Sequence, residues 1–421
     1  MIAVAGTGTG TGTETVAQAR AWLAEHRTQT MSKRAWRELV VDERWSALRW
    51  PSDWFGRDLS DDDAKAVEAE FAAAGATGPG QDIFNLWAGT MLAYGSDELK
   101  RRFLRPLLLD DVAMCLLYSE PGAGSDLAGL RTTAVRDGDE WVVNGQKVWT
   151  SGARGAEYGM LIARTDWDVP KHRGITFFWF LMHQPGVEVR PLRQATGDAR
   201  FNEVFLTDAR VPDSHRLGDT GKGWWVLQTA LAYERAVMGV SSRAERSSGA
   251  ALGGNDVEPE GATAKAHGRI PLPDLSLVEL ARAVDKQRDP QVRQALARLH
   301  MMRVTNDWNG ARAQAEMKAG GSSPLASLGK LAMSGILHYA ARVQGHLLGI
   351  EATLDGDENR RARDANYSQL NAYFTSIGGG TDQIQRNIIG ERILGLPREP
   401  EIDRDLPFRD VRASSPAERH S

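Results

Sequence analysis

Cysteine is nearly absent from this sequence. A single one, Cys115, occurs among 421 residues, which excludes an intrachain disulfide and a cysteine-based metal cluster. No histidine lies near Cys115 in the sequence, so we interpret it as a small core residue and not as a nucleophile. Such sparse cysteine usage is typical of a reducing compartment, and we expect a cytoplasmic protein.

Long apolar runs and an excess of one charge are also missing. No run reaches the roughly 18 apolar residues that a membrane-spanning helix needs. Lys and Arg total 51 against 55 for Asp and Glu, a net charge of -4, so neither a membrane span nor nucleic acid is expected. The sequence also lacks paired histidines and a G-x-S-x-G motif, so we predict no metal site and no serine hydrolase.

The first 15 residues fit neither a signal peptide nor a nucleotide-binding loop. They lack a basic region followed by an apolar core, and their Gly-Thr alternation does not match G-x-G-x-x-G. We predict a disordered leader over residues 1–15.

Length and residue patterning predict an α+β protein of several domains. At roughly 150 residues per domain, the chain would form two or three, and its 42% hydrophobic residues can fill a large core. Residues 16–111 are predicted to be an N-terminal helical domain. Helices should begin after Ser60 and Ser96, because each serine is a good N-cap and acidic residues follow it in the first turn.

The hydrophobic period changes after residue 112, and we predict a β domain over residues 112–221. Asn144-Gly145 lies between two short alternating runs, which is typical of a type I′ hairpin turn. Further strands separated by Pro and Gly indicate a barrel or a sandwich. These strands are predicted at residues 158–163, 174–181, 187–191 and 203–211.

Helical periodicity returns in residues 222–397, which we predict to be a C-terminal bundle. Residues 247–274 are rich in Gly, Ala and Pro and are interpreted as a loop insertion. Residues 398–421 form a charged, proline-containing tail that we expect to be disordered. The helices of the bundle are predicted at residues 223–243, 277–284, 290–318, 326–354 and 382–394.

The stretch MCLLYSEPGAGSD, residues 114–126, carries the strongest local signal. Pro121, Gly122 and Gly124 prevent regular helix or strand, and the turn exposes backbone N–H groups. Such a turn can bind the carbonyls or phosphates of a cofactor, or it can simply connect a strand to a loop.

Two further motifs follow in order: NGQKVWTSGA at residues 144–153 and GTDQIQRN at residues 380–387. Together with SEPGAGSD, they resemble the acyl-CoA dehydrogenase family of flavoproteins over residues 36–399. The resemblance implies an N-terminal helical domain, a β domain and a C-terminal four-helix bundle. It also implies bound FAD, an acyl-CoA substrate, an electron-transfer flavoprotein as partner, and a homotetramer.

The resemblance also implies which residues bind the cofactor. Leu116, Tyr118 and Ser119 should line the flavin ring. Gly124 and Ser125 should lie toward its ribityl-phosphate and the acyl ligand. The other face of the flavin, near N5, should be covered by Trp149, Thr150 and Ser151, and the diphosphate should be contacted by Thr381 and Gln383.

One position departs from the family pattern. Family members commonly place a catalytic Glu directly before Gly-Thr, but here that position is Gly379. Gly379 cannot accept a proton, although its N–H precedes a helix N-terminus and by resemblance could polarise the thioester carbonyl.

A replacement base is predicted on the helix after Gly223. Trp224, Leu227, Leu231 and Glu234 share one helix face, so Glu234 is a lone carboxylate on an apolar stripe. Burial without a partner would raise its pKa toward working pH, whereas an ordinary buried ion pair is the alternative. The branch that includes isovaleryl-CoA dehydrogenase resembles this arrangement, with its base in a Glu-Arg pair, and implies that Arg235 binds ligand or anchors the loop.

Other departures leave alternatives open. The Arg-x-x-Phe-Gly and Gln-x-x-Gly-Gly motifs, which reach a neighbouring subunit's FAD in many members, do not occur here. The chain is therefore either a self-sufficient dehydrogenase or a non-catalytic subunit of a mixed tetramer with a homologue. A flavoenzyme that acts on carrier-protein thioesters or uses oxygen is the third reading. Short, branched, long and sterol-derived acyl chains all remain open.

Overall fold

The structure is a computed structural model of the chain. The structure describes residues 12–27, 31–240, 276–318, 325–356, 358–398 and 400–411, without the side chains of residues 234–240, 276, 314, 317–318 and 325–326. The described residues divide into two compact units. Unit 1 lies within residues 1–192, 200–256 and 402–421, and unit 2 lies within residues 193–199 and 257–401.

Unit 1 begins with helices, as the sequence predicts. Ser60 Oγ accepts a hydrogen bond from Asp63 N at 3.2 Å, and Ser96 Oγ accepts one from Leu99 N at 3.3 Å, which confirms both predicted N-caps. The helices are α1 (Gly12–His26), α2 (Lys33–Asp42), α3 (Asp61–Ala73), α4 (Gln81–Phe84), α5 (Leu86–Tyr94) and α6 (Asp97–Leu108). Helix α1 starts inside the segment predicted to be a disordered leader.

A mixed sheet of eight strands follows, and then helix α7 (Gly223–Val240). The strands are β1 (Met114–Leu117), β2 (Thr133–Asp137), β3 (Glu140–Ser151), β4 (Tyr158–Arg164), β5 (Ile175–Leu181), β6 (Val187–Leu192), β7 (Phe201–Pro212) and β8 (Arg216–Leu217). Their order is β6-β7-β3-β2-β4-β5-β8, and β1 pairs in parallel with β4. The predicted α+β class with a middle β domain is confirmed.

The hairpin predicted at Asn144-Gly145 is wrong. Strand β3 continues through both residues, and the register against β7 shifts between Val143 and Gly145, as in a β-bulge. A side chain at Gly145 would come within 2.4 Å of Thr132 Oγ1, so close packing of β2 explains the glycine. The Asn144 amide bonds Asp208 on β7 instead of shaping a turn. The real hairpin joins β2 to β3.

Two apolar cores form on the two faces of the sheet. Phe177 and Trp179 of β5 pack with Leu104 of α6 and Leu227 of α7, whereas Phe178 faces the opposite way. The second core joins β4 and β5 to β3 and β7, so the sheet curls around its own interior.

Unit 2 is built from helices α8 (Ser276–Ala283), α9 (Pro290–Lys318), α10 (Leu325–Leu348), α11 (Arg360–Ile377) and α12 (Asp382–Arg392). Helices α8, α9, α10 and α12 agree with predicted helices, and most of their termini lie within a few residues of the predicted ones. The exception is α10, where a 3₁₀ turn at Gly349–Thr353 follows the α-helix and ends the helix predicted at 326–354. Helix α11 was not predicted, because Asn, Ser and Gln interrupt its apolar pattern. Its Leu370, Tyr373 and Ile377 nevertheless repeat at helical spacing.

The tail also differs from its prediction where it is described. Phe408 is 3% exposed and belongs to unit 1, where its ring centroid lies 3.5 Å from the guanidinium carbon of buried Arg164. The Phe408 N–H bonds the Val169 carbonyl at 2.9 Å. The predicted loop insertion, residues 247–274, lies outside the described residues.

We predict that Cys115 does not react with thiol reagents in the folded protein. Its side chain is buried beside Met182, and burial raises the pKa of the thiol to about 12, so the reactive thiolate is scarce. Colorimetric thiol titration at mildly alkaline pH should detect no free thiol in the native chain. The same titration in concentrated guanidinium chloride is the control, and should detect one thiol per chain. Rapid labelling of the native protein would contradict the prediction.

Candidate active site

The SEPGAGSD motif forms a loop directly after strand β1, and we call residues 118–126 the signature loop. Glu120 and Ala123 exchange backbone hydrogen bonds of 3.0 and 3.1 Å, which closes a tight turn around Pro121 and Gly122. Gly124 has no atom of the described residues within 4 Å of the position that a Cβ would take. The loop therefore offers its main chain to a ligand.

The predicted cofactor-binding residues in and before the signature loop differ in exposure. Leu116 and Ser119 are half-buried, whereas Gly124 and Ser125 are exposed. The Tyr118 ring is buried in the first core, where its hydroxyl approaches the sulfur of Met160 at 3.8 Å. The Tyr118 side chain thus anchors the start of the signature loop in the core.

Trp149 lies in a second irregularity of β3, where the register against β7 shifts between Lys147 and Thr150. The φ angle of Trp149 is +61°, a left-handed conformation that costs an ordinary side chain about 1–2 kcal/mol. Its indole is 57% exposed and meets Phe201 edge-on at 5.8 Å. Backbone strain of this kind clusters at functional sites, so Trp149 marks a candidate binding site.

Thr150 and Ser151 complete this part of the chain, and we call residues 149–151 the Trp149 segment. Thr150 is 1% exposed, and its Oγ1 is buried without a hydrogen-bond partner among the described residues. Ser151 is exposed. Several buried polar atoms of the described residues share this feature, so it is the exposed Ser151 hydroxyl that is open to a polar ligand atom.

A buried ion pair links the signature loop to β3. Lys147 Nζ donates to Glu120 Oε1 at 2.8 Å and to the Tyr118 carbonyl at 3.1 Å. Burial alone would raise the pKa of Glu120, but the Lys147 ammonium and further N–H donors hold it below its ordinary value. Sequence reasoning missed this pair, since its members lie 27 residues apart.

The predicted base lies on helix α7. Leu227 of the apolar stripe is fully buried in the first core, with Trp224 and Leu231 packed against it, so this face of the helix is inward as predicted. The helix extends past Glu234 and Arg235, but the side chains of both residues lie outside the described part. Their roles stay predictions.

The third motif lies in unit 2 between helices α11 and α12, and we call residues 378–380 the glycine turn. Gly379 and Gly380 have φ angles of +66° and +90°, which suit glycine. Thr381 caps α12 by accepting from Ile384 N at 3.2 Å, and Gln385 Nε2 donates to the Gly379 carbonyl at 3.1 Å. The exposed Gly379 is therefore held in place by its own carbonyl.

A polar network supports the glycine turn, and sequence reasoning missed it as well. Ser334 on α10 bonds Ser376 at the end of α11 and Asp382 at the start of α12, both at 2.8 Å. His338 bonds Ser376 at 2.7 Å, and Lys330 bonds Asp382 at 3.2 Å. The signal in the sequence was the spacing of Lys330, Ser334 and His338, which places three polar residues on one face of α10.

The remaining predicted residue, Gln383, is exposed on the first turn of α12. Within the described parts of the chain, no group of three or more His, Cys, Asp or Glu side chains is arranged to bind a metal ion. None of the described helices is both long and apolar enough to cross a membrane.

Comparison with known proteins defines the class. A family model for the acyl-CoA dehydrogenase middle domain matches residues 115–209. The chain is 34% identical to acyl-CoA dehydrogenase IpdE1 of Mycobacterium tuberculosis, covering 91% of this chain and 97% of that protein. It is 37% identical to acyl-CoA dehydrogenase FadE34 of the same organism over 85% of its own length, and spans 46% of FadE34. The chain belongs to the acyl-CoA dehydrogenase family.

Solved structures share the fold. The ChsE4-ChsE5 complex from Mycobacterium tuberculosis matches at 30% identity with a TM-score of 0.60, covering 92% of this chain and 98% of that one. The Tcur3481-Tcur3483 steroid ACAD matches at 25% identity with a TM-score of 0.66 over the same shares of the two chains. The predicted family, fold and enzyme class, an acyl-CoA dehydrogenase oxidoreductase, are confirmed.

We predict that the Trp149→Gly variant is more stable than the Trp149→Ala variant by about 1 kcal/mol, because both lose the indole but only alanine keeps the left-handed strain. Urea unfolding of the two variants gives the difference directly.

Val135 provides the control for this comparison. It is an exposed residue of β2 without a positive φ, so Val135→Gly should be less stable than Val135→Ala. Equal stabilities of the two Trp149 variants would show that the residue is not strained.

Proposed function

We propose that this protein is an FAD-dependent acyl-CoA dehydrogenase that forms an α,β-double bond in an acyl thioester. The observation that carries the proposal is the Trp149 segment, where a strained, exposed indole lies two residues before the exposed hydroxyl of Ser151. Such a segment fits a flat ring system with a polar edge.

The residues present fit FAD. The flavin ring would be bound by the Trp149 segment together with Leu116, Ser119 and the main chain of Tyr118. Gly124 and Ser125 would face the ribityl-phosphate and the acyl ligand, while Thr381 and Gln383 would contact the diphosphate. The open main chain at Gly124 and the capped N-terminus of α12 support these assignments.

In the proposed reaction, Glu234 takes the proton from the α-carbon of the thioester. The N–H of Gly379 donates to the thioester carbonyl, which acidifies that α-carbon. FAD, when bound, supplies the acceptor for the hydride that leaves the β-carbon. Arg235 binds the ligand or anchors the loop that carries Gly379. The acyl chain loses two hydrogens in total and leaves as an unsaturated thioester.

We further propose a cytoplasmic enzyme that passes its electrons to an electron-transfer flavoprotein and assembles as a tetramer. The name of one structural neighbour, a steroid ACAD, makes sterol-derived acyl-CoAs the first substrates to try. Short, branched and long acyl-CoAs complete the series.

A second candidate function is that of a subunit that depends on a homologous partner. Gly379 has no side chain that could act as a base, and two structural neighbours, the Tcur3481-Tcur3483 steroid ACAD and the ChsE4-ChsE5 complex, are each named as a pair of chains. Leu370, Tyr373 and Ile377 form an exposed apolar row on α11, which a partner could cover. A related enzyme that acts on carrier-protein thioesters or uses oxygen is distinguished by its substrate and by oxygen consumption.

The first experiment is the visible spectrum of the chain purified alone. A flavin band that bleaches when acyl-CoAs are added anaerobically is the expected result for a self-sufficient dehydrogenase. A colourless protein, even after incubation with FAD, would contradict it and favour the partner-dependent subunit. Co-expression with homologous chains would then be the test of the second candidate.

We predict that Glu234→Gln keeps bound flavin but loses about 100-fold to 10,000-fold in the rate of flavin reduction, the usual contribution of a general base. Anaerobic stopped-flow bleaching measures this rate. Glu279→Gln, which alters an exposed carboxylate on α8, is the control and should leave the rate unchanged. Near-normal reduction in Glu234→Gln would refute the assignment.

A further inference from the structure

The Lys147–Glu120 ion pair is almost completely buried. The Lys147 side chain is fully buried and that of Glu120 is 8% exposed. Removing two charges from water carries a desolvation cost that their attraction often does no more than offset, so apolar residues would commonly be as stable here. A buried pair of this kind is therefore better explained by the geometry that it imposes.

The Glu120 carboxylate bonds the main chain of the segment that follows the signature loop. Its Oε2 accepts from Arg131 N at 2.7 Å, and its Oε1 accepts from Thr132 N at 2.9 Å as well as from Lys147. The carboxylate thus joins the start of the signature loop to Arg131 and Thr132, the two residues before strand β2. Bonds to a charged acceptor are about twice as strong as neutral ones, so this closure is tight.

Lys147, on strand β3 two residues before Trp149, bonds the Glu120 carboxylate and the Tyr118 carbonyl. Beside it, Val148 N donates to the Ser119 carbonyl at 2.9 Å, where the ladder to β7 is interrupted. The bulge that turns Trp149 outward is therefore bonded to the signature loop on one side. Moving either segment would break bonds to the other.

We propose that Lys147 and Glu120 are positioning residues that lock the signature loop and the Trp149 segment into one geometry for cofactor binding. The inference rests on the proposed function, because the two segments are the ones assigned to the flavin ring. Neither side chain needs to touch the cofactor. Lys147 acts through the Tyr118 carbonyl, and Glu120 acts through the N–H groups of Arg131 and Thr132.

The test uses Glu120→Gln and the double variant Glu120→Gln with Lys147→Met. Glutamine keeps an acceptor oxygen for the N–H groups of Arg131 and Thr132 but loses the charge. If this single variant folds poorly, the double variant provides the test, because it leaves no buried charge unpaired. Asp213→Asn is the matched control. It weakens a charged hydrogen bond to Trp141 Nε1 near the start of the same strand, together with the ion pairs of Asp213 with Arg136 and Arg216.

The first readout is hydrogen exchange of the chain without cofactor. In both variants, exchange should rise about tenfold at the N–H groups of Arg131, Thr132 and Val148 and across the Trp149 segment. Asp213→Asn should raise exchange near Trp141 and leave these positions unchanged. Exchange that rises at Arg131 and Thr132 but not in the Trp149 segment would overturn the proposed coupling between the two segments.

The second readout is the dissociation constant of FAD, followed by flavin fluorescence, together with the shape of the bound flavin band. Both variants should bind FAD about tenfold more weakly and with a shifted band, whereas Asp213→Asn should match the parent chain. Parent-like affinity and spectrum in the double variant would overturn the inference. A parent chain that binds no FAD, with coupled exchange intact, would contradict the proposed function and leave the coupling supported.

Discussion

Burial of strand β5 on both faces is the constraint on which unit 1 depends. Phe177 and Trp179 face the helices, whereas Phe178 and Phe180 face the interior of the sheet, so β5 belongs to both cores. Strand β4 pairs with β5 on one side and with β1 on the other. Strand β1 runs directly into the signature loop. The packing of aromatic residues on β5, a strand remote from the loop in sequence, therefore sets the position of that loop.

The sequence predicts elements well where the signal is local. The serine caps at Ser60 and Ser96 involve atoms three residues apart, and both form as expected. Asn144-Gly145 fails because its local preference for a turn is overridden by tertiary packing, in which a glycine is needed against Thr132. Helix α11 escaped prediction because polar residues dilute its stripe, although the spacing of its apolar residues is helical.

The motifs predict where the candidate site lies, but not what holds it. The strain at Trp149 depends on a bulge against a strand more than 50 residues away, and no residue pattern encodes it. The same is true of Lys147 with Glu120, and of Ser334 with Ser376 and Asp382, which join distant segments through buried polar atoms. The glycine at position 379 is visible in the sequence alone, and the prediction that it replaces a carboxylate of the family pattern comes from its place directly before Gly-Thr.

The burial of Phe408 against Arg164 has a consequence for how the chain is made. Unit 1 includes residues near both ends of the sequence, with unit 2 between them. A ribosome therefore synthesises unit 2 before the residues that cover the Arg164 guanidinium. Until residues 402–411 emerge, the arginine that bonds the carbonyls of Ala128 and Leu130 has the more distant Trp167 ring at 5.6 Å but lacks the Phe408 ring, so its burial is completed late in synthesis.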